Sequence, residues 1–135
     1  MTDAEAKGLR EYLLKGGFVV VDDFWGVHWY SFVEGVRRVL PDARLVLLDG
    51  TEPIFDAFFR IDPYGLEHPF FSAGPPGYYG VFEDNDPSRR LMLVANYNLD
   101  IGEYWEWSDT GFIPIELSNE AYELGVNYVV YGTTH

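Results

Sequence analysis

Fourteen consecutive residues, Asn96 to Asp109, hold two tryptophans, two tyrosines, two asparagines and four carboxylates. Carboxylate and amide oxygens meet hydroxyls and cations, while aromatic faces cover the apolar side of a flat ligand. That mixture fits the lining of a site for a carbohydrate or a similar polar molecule. Two further polar groups have the same character: Asp22 and Asp23 with Trp25 and His28, and Asp49 with Glu52. Hard cations such as calcium or magnesium would suit these oxygens. The commoner use of an Asp pair at such a junction is to cap the next helix through its backbone amides.

Paired acids would also serve glycoside hydrolysis. The candidates are Asp22 or Asp23 with Glu103, Glu106 or Asp109, although their sequence spacing carries no specificity for that chemistry. Trp105 and Trp107 alternate, so an extended segment would place them on one side. Other chemistries lack their residues. There is no cysteine, which removes thiolate nucleophiles, thiolate metal sites and disulfides together. No G-x-S-x-G elbow occurs. Gly74-Pro-Pro-Gly77 is a turn, not a phosphate cradle.

Charge narrows the partners. Nine basic and 22 acidic side chains give a net charge of -13 over 135 residues. Such a chain repels phosphate, which argues against nucleic acid and anionic membrane surfaces and favours neutral polar or cationic ligands. The acidity also serves solubility. No apolar run is long enough to span a bilayer, and Met1-Thr-Asp-Ala-Glu5 shows no signal peptide.

The elements that must hold these groups follow from pattern. The length fits one domain. Thr2 and Glu5 form a capping box before Ala6, Leu9 and Leu13 at helical spacing, and Gly16-Gly17 ends that helix. Phe18-Val-Val-Val21 is an all-apolar β-branched run, which predicts an interior parallel strand covered on both faces. Val27 to Leu40 predicts a helix, and Leu45 to Leu48 a strand. This α-β-α-β order is that of a doubly wound α/β sheet. Pro53 to Phe59 reads as a short helix, and Asp62 to Gly77 as a long ordered loop. Tyr79–Phe82 and Leu91–Ala95 read as strands joined by a turn at 84–88. Ser118 or Asn119 is expected to cap a last helix, with Gly125 as a weak point and a strand over Val126–Tyr131 as the alternative.

In such sheets ligands bind outside the carboxyl ends of the strands. All three polar groups fall there, so one acidic pocket is expected. Strands are scarce for a sheet whose first strand wants two neighbours. A homodimer, or a missing N-terminal segment, is expected to complete it.

Three segments resemble the DUF4159 family of uncharacterised bacterial proteins: Leu9-Arg-Glu-Tyr-Leu-Leu-Lys-Gly-Gly-Phe-Val-Val-Val-Asp-Asp-Phe-Trp-Gly26, Asn98-Leu-Asp-Ile-Gly-Glu-Tyr-Trp-Glu-Trp-Ser-Asp109 and Leu124-Gly-Val-Asn-Tyr-Val-Val-Tyr-Gly-Thr-Thr-His135. The resemblance implies a three-layer, flavodoxin-like α/β domain akin to class I glutamine amidotransferases. It also implies that the chain is the C-terminal part of that domain, and that its relatives are exported or membrane-anchored. Amidotransferase chemistry is not carried over, because it needs a cysteine nucleophile. Where family members often read Asp-His-Pro-Ile-Phe, this chain has Thr51-Glu-Pro-Ile-Phe55, with Glu52 in the histidine's place.

The expectation is therefore a three-layer α/β domain, incomplete at its N-terminus, that acts as a non-catalytic ligand-binding or protein-interaction module. A hydrolase using paired carboxylates is the alternative. The expected ligand contacts are Asp22, Asp23, Trp25, His28, Asn96, Asn98, Asp100 and Trp105. No catalytic residue, metal or cofactor is assigned.

Overall fold

A computed structural model describes residues 1–66 and 74–135. The middle of the loop expected between Asp62 and Gly77, with His68, lies outside the described residues.

Helix α1 (Asp3–Leu14) starts as its sequence demands. Glu5 N–H donates to Thr2 Oγ1 at 3.2 Å, and Thr2 N–H donates to Glu5 Oε2 at 2.6 Å, so two orphan amides of the first turn are satisfied. Its last turn has no basic residue. The Arg90 guanidinium supplies that charge from a distance, donating to the carbonyls of Leu13 and Gly17.

Then come β1 (Val19–Phe24), α2 (His28–Val39) and β2 (Val46–Leu47). The short helix expected over Pro53–Phe59 is a 3₁₀ turn, Pro53–Asp56, and a second 3₁₀ turn follows at Pro63–Gly65. Strands β3 (Gly77–Phe82) and β4 (Leu91–Tyr97) flank a third 3₁₀ turn, Glu83–Asn85. The chain closes with α3 (Ile101–Glu106) and α4 (Ile115–Thr134).

The four strands form one open, mixed sheet in the order β1-β4-β3-β2. β1 and β4 are parallel, whereas β3 runs antiparallel to both β4 and β2. Two expectations change. The sheet is not uniformly parallel, because the β3–β4 connection is a tight hairpin, and a hairpin can only join antiparallel strands. β1 is also not an interior strand: among the described residues it pairs with β4 alone. Its apolar run still packs on one face, since Val19 and Val21 belong to the core under α1 and α2, while Val20 is 42% exposed on the other.

Each face of the sheet carries its own core. Leu13, Val36, Val39, Met92, Leu93 and Ala95 join α1 and α2 to one face. Tyr78, Val94, Ile101, Tyr104, Leu124 and Tyr128 join α3 and α4 to the other. The last helix is a helix throughout, so the strand alternative over Val126–Tyr131 fails. It begins at Ile115 after Pro114, and Ser118 lies buried inside its first turn instead of capping it. Gly125 is tolerated because a neighbour uses the space. A Cβ there would stand 2.6 Å from the Trp105 ring, so only glycine lets that ring lie on the helix.

Candidate functional site

β1 hands the chain to α2 on one face of the sheet, and β4, its parallel neighbour, hands it to α3 on the other. Connections that part in this way leave a crevice between the two carboxyl ends, the usual place for a ligand in open α/β sheets. Asp22, Asp23, Asn96, Asn98 and Asp100 are all carried to this point.

The inner part of the cluster is a chain of hydrogen bonds. Tyr128 of α4 donates from its hydroxyl to Asn96 Oδ1 at 2.7 Å. Asn96 Nδ2 donates to Asp22 Oδ1 at 3.0 Å. Gly102 N–H, in the first turn of α3, donates to Asp22 Oδ2 at 3.1 Å. Asn96 is fully buried and Tyr128 nearly so. Burial pushes Asp22 above its ordinary carboxylate value, against the hydrogen bonds from Asn96, Gly102 and Ile101. The relay thus fastens β1, β4, α3 and α4 together, and the capping role weighed for Asp22 is realised on α3 instead of the helix that follows it in sequence.

The outer part faces solvent. Asp23 is exposed and its backbone is left-handed, with φ of 60°, an uncommon state for a residue with a Cβ. Burial and then the neighbouring Asp100, through both charge and a side-chain hydrogen bond, raise its pKa, with Asp22 and Glu103 adding repulsion. Asp100 also caps α3, accepting Glu103 N–H at 2.9 Å.

The remaining expected residues fall into three places. Asn98, also left-handed at φ 58°, staples two loops: it accepts from Gly26 N–H at 3.2 Å and donates to the Pro75 carbonyl at 3.1 Å. Trp25 and His28 form a tilted ring pair at 5.4 Å on the β1–α2 connection, next to the rim. Trp105 sits more than a turn along α3 from Asp100 and stacks on Tyr122 at 6.1 Å and 18°. It is helical, not extended, so it does not share a side with Trp107, and it covers α4 instead of the crevice. Asp49 and Glu52 do not join the cluster. They lie beyond β2, the far edge strand, and close their own loop: Glu52 accepts from the amides of Asp49 and Gly50, each at 3.0 Å.

Sequence reasoning did not single out Tyr128. The signal was available, because a buried tyrosine hydroxyl needs a partner. Among the described residues no group of three or more His, Cys, Asp or Glu side chains could hold a metal ion. Nor is any helix among them long and apolar enough to cross a membrane.

Fold and cluster together define a mixed α/β domain whose acidic residues gather at the carboxyl ends of two parallel strands. The chain belongs to the DUF4159 family, a domain of unknown function, whose model matches residues 1–133. No curated protein matches it.

Proposed function

We propose that this domain is a non-catalytic binding module whose ligand is a small polar molecule, neutral or cationic, held at the crevice between β1 and β4. The observation that carries this reading is the convergence of Asp23 and Asp100 at the switch point, over a floor already saturated by the Asp22–Asn96–Tyr128 relay. The rim offers carboxylate oxygens for hydroxyl or ammonium donors, and the Trp25–His28 pair flanks it. Asp23's left-handed backbone supports a functional role, because strained positions persist where the site needs them. A flavodoxin-like or amidotransferase-like parentage belongs to the same proposal. It is supported by the parallel β1–β4 pair and the helices on both faces, and weakened by the antiparallel β3.

A hydrolase using paired carboxylates is favoured less. Of its candidate acids, Asp22 already has one oxygen engaged by Asn96 and the other by the Gly102 amide, which leaves it poorly placed to act as acid, base or nucleophile.

Thermal-shift measurements against sugars, polyols and divalent cations test the proposal. A ligand should raise the unfolding midpoint by mass action. Asp23→Asn or Asp100→Asn should abolish that rise in a protein that stays folded. Indifference of the wild-type protein to all three ligand classes would sink the reading.

A further inference from the structure

Trp105 stands away from the crevice, and its own setting has a chemistry. The indole rests on α4 at Gly125, where a Cβ would stand 2.6 Å from ring carbon Cζ2 and 3.2 Å from Cη2. The helix backbone therefore closes one side of the ring. The residue is still 39% exposed, so the opposite side meets solvent. Tyr122, three residues earlier on α4, lies beside it with ring centroids 6.1 Å apart and planes within 18° of parallel. Tyr122 is 45% exposed as well. Its hydroxyl donates to the Trp105 carbonyl at 3.2 Å and stands 3.0 Å from Ser108 Oγ. Two open aromatic rings are thus held in place, and little side-chain entropy is left to lose when something lands on them.

Geometry and charge say what that would be. Near-parallel rings present a surface, whereas a compact ammonium ion is recognised by a cage of aromatic walls. A surface of this kind covers the apolar face of another ring. No cation on these helices could meet an anionic group: beyond Arg90 the sequence has no lysine or arginine, while acids recur from Asp100 to Glu123. That repels nucleotides and other phosphorylated rings. A neutral pyranose satisfies both conditions. Its C–H face covers the indole, and its hydroxyls meet those of Tyr122 and Ser108, which can donate or accept.

We propose that Trp105 and Tyr122 form a stacking platform for a neutral saccharide on the α3–α4 surface, separate from the acids of the crevice. Gly125 is its positioning residue, because only a position without a Cβ lets the indole lie flat on the helix. Trp107, equally exposed, pairs its ring with Phe112 and takes no part.

The test is titration of the full chain with neutral α-1,4- and β-1,4-linked gluco-oligosaccharides, followed by intrinsic tryptophan fluorescence. A saturable change is expected, with a dissociation constant on the order of 1 mM. Trp105→Ala should weaken binding about tenfold or more, and Trp107→Ala should leave it unchanged, both with an unaltered circular dichroism spectrum. Gly125→Ala favours the helical backbone but lifts the ring, so binding should weaken several-fold in a protein at least as stable. Asp23→Asn and Asp100→Asn should leave this binding intact, so failure here and failure of the crevice reading are told apart. No saturable response to any saccharide overturns the proposal. So does binding that survives Trp105→Ala, binding lost in Asp23→Asn, or a stronger response to tetramethylammonium than to every saccharide. A wild-type dimer in sedimentation that Trp105→Ala makes monomeric also overturns it, since the platform would then be an interface between copies.

Discussion

Asp22 and Asp23 are adjacent in sequence and opposite in structure. Asp22 points into the sheet's end, where Asn96 and the Gly102 amide each satisfy one oxygen. Asp23 turns outward through a left-handed backbone and meets other acids. One is tied down by donors from two neighbouring elements, and the other is held among acids. A residue that repels its neighbours and strains its backbone makes no case for itself through stability. The contrast teaches where to look for binding: at the rim, over a floor that exists to hold it still.

The severest challenge to this division is Asn96→Leu. It leaves the buried Asp22 carboxylate without its side-chain donor and the Tyr128 hydroxyl without its acceptor. The expected loss is about 3 kcal/mol in urea denaturation, as when a buried charged group loses a partner. A loss under about 1 kcal/mol would show that the relay is not what fastens the two strand ends. Tyr128→Phe removes only the outermost link and should cost about 1 kcal/mol.

Titration sharpens the same point. Asp22 has a folded-state pKa above its ordinary 3.8, so between the two values the folded protein binds more protons than the unfolded chain. Its contribution to stability is therefore greatest below that interval and is lost as pH rises through it. Asp23 acts in the same direction. Relative to Asp22→Asn, the wild-type protein should therefore lose stability as pH climbs out of the acid range. A wild-type-minus-variant difference that grows in favour of the wild type over the same interval would refute the assignment.

The smallest expected effect belongs to the rim. Asp23→Gly relieves the left-handed backbone and the repulsion from Asp100, so the protein should gain about 0.5 kcal/mol while losing any ligand-induced shift of its melting midpoint. A clear destabilisation would make Asp23 part of the floor after all.

Much of this was legible in the chain, for physical reasons. Local signals such as the Thr2–Glu5 capping box, the β-branched run at Val19–Val21 and the strand at Leu91–Ala95 gave elements close to those observed. The sequence placed Asp22 and Asn96 at strand ends, and it is the parallel β1–β4 pairing that brings them within hydrogen-bond reach. What the pattern could not convey was adjacency across the sheet. Nothing local says that β3 lies between β4 and β2, so Asp49 and Glu52 were grouped with a cluster they do not reach. Trp105 and Trp107 would share a side only in an extended segment, and three residues do not tell period two from a short helix. Gly125 looked like a flaw because its reason, the Trp105 ring, lies on another helix.

The Arg90 clamp on the α1–β1 turn has a consequence for how the molecule is made. Arg90 and Gly17 are 73 residues apart in sequence, and among the described residues β1 pairs with β4 alone. During synthesis the first third of the chain can form helices but cannot seat its strand, since the contacts that fix it close only a long loop later. The apolar Val19-Val20-Val21 segment therefore waits longest for cover, and the rate at which β4 is delivered sets how long the nascent chain stays vulnerable to association with others like it.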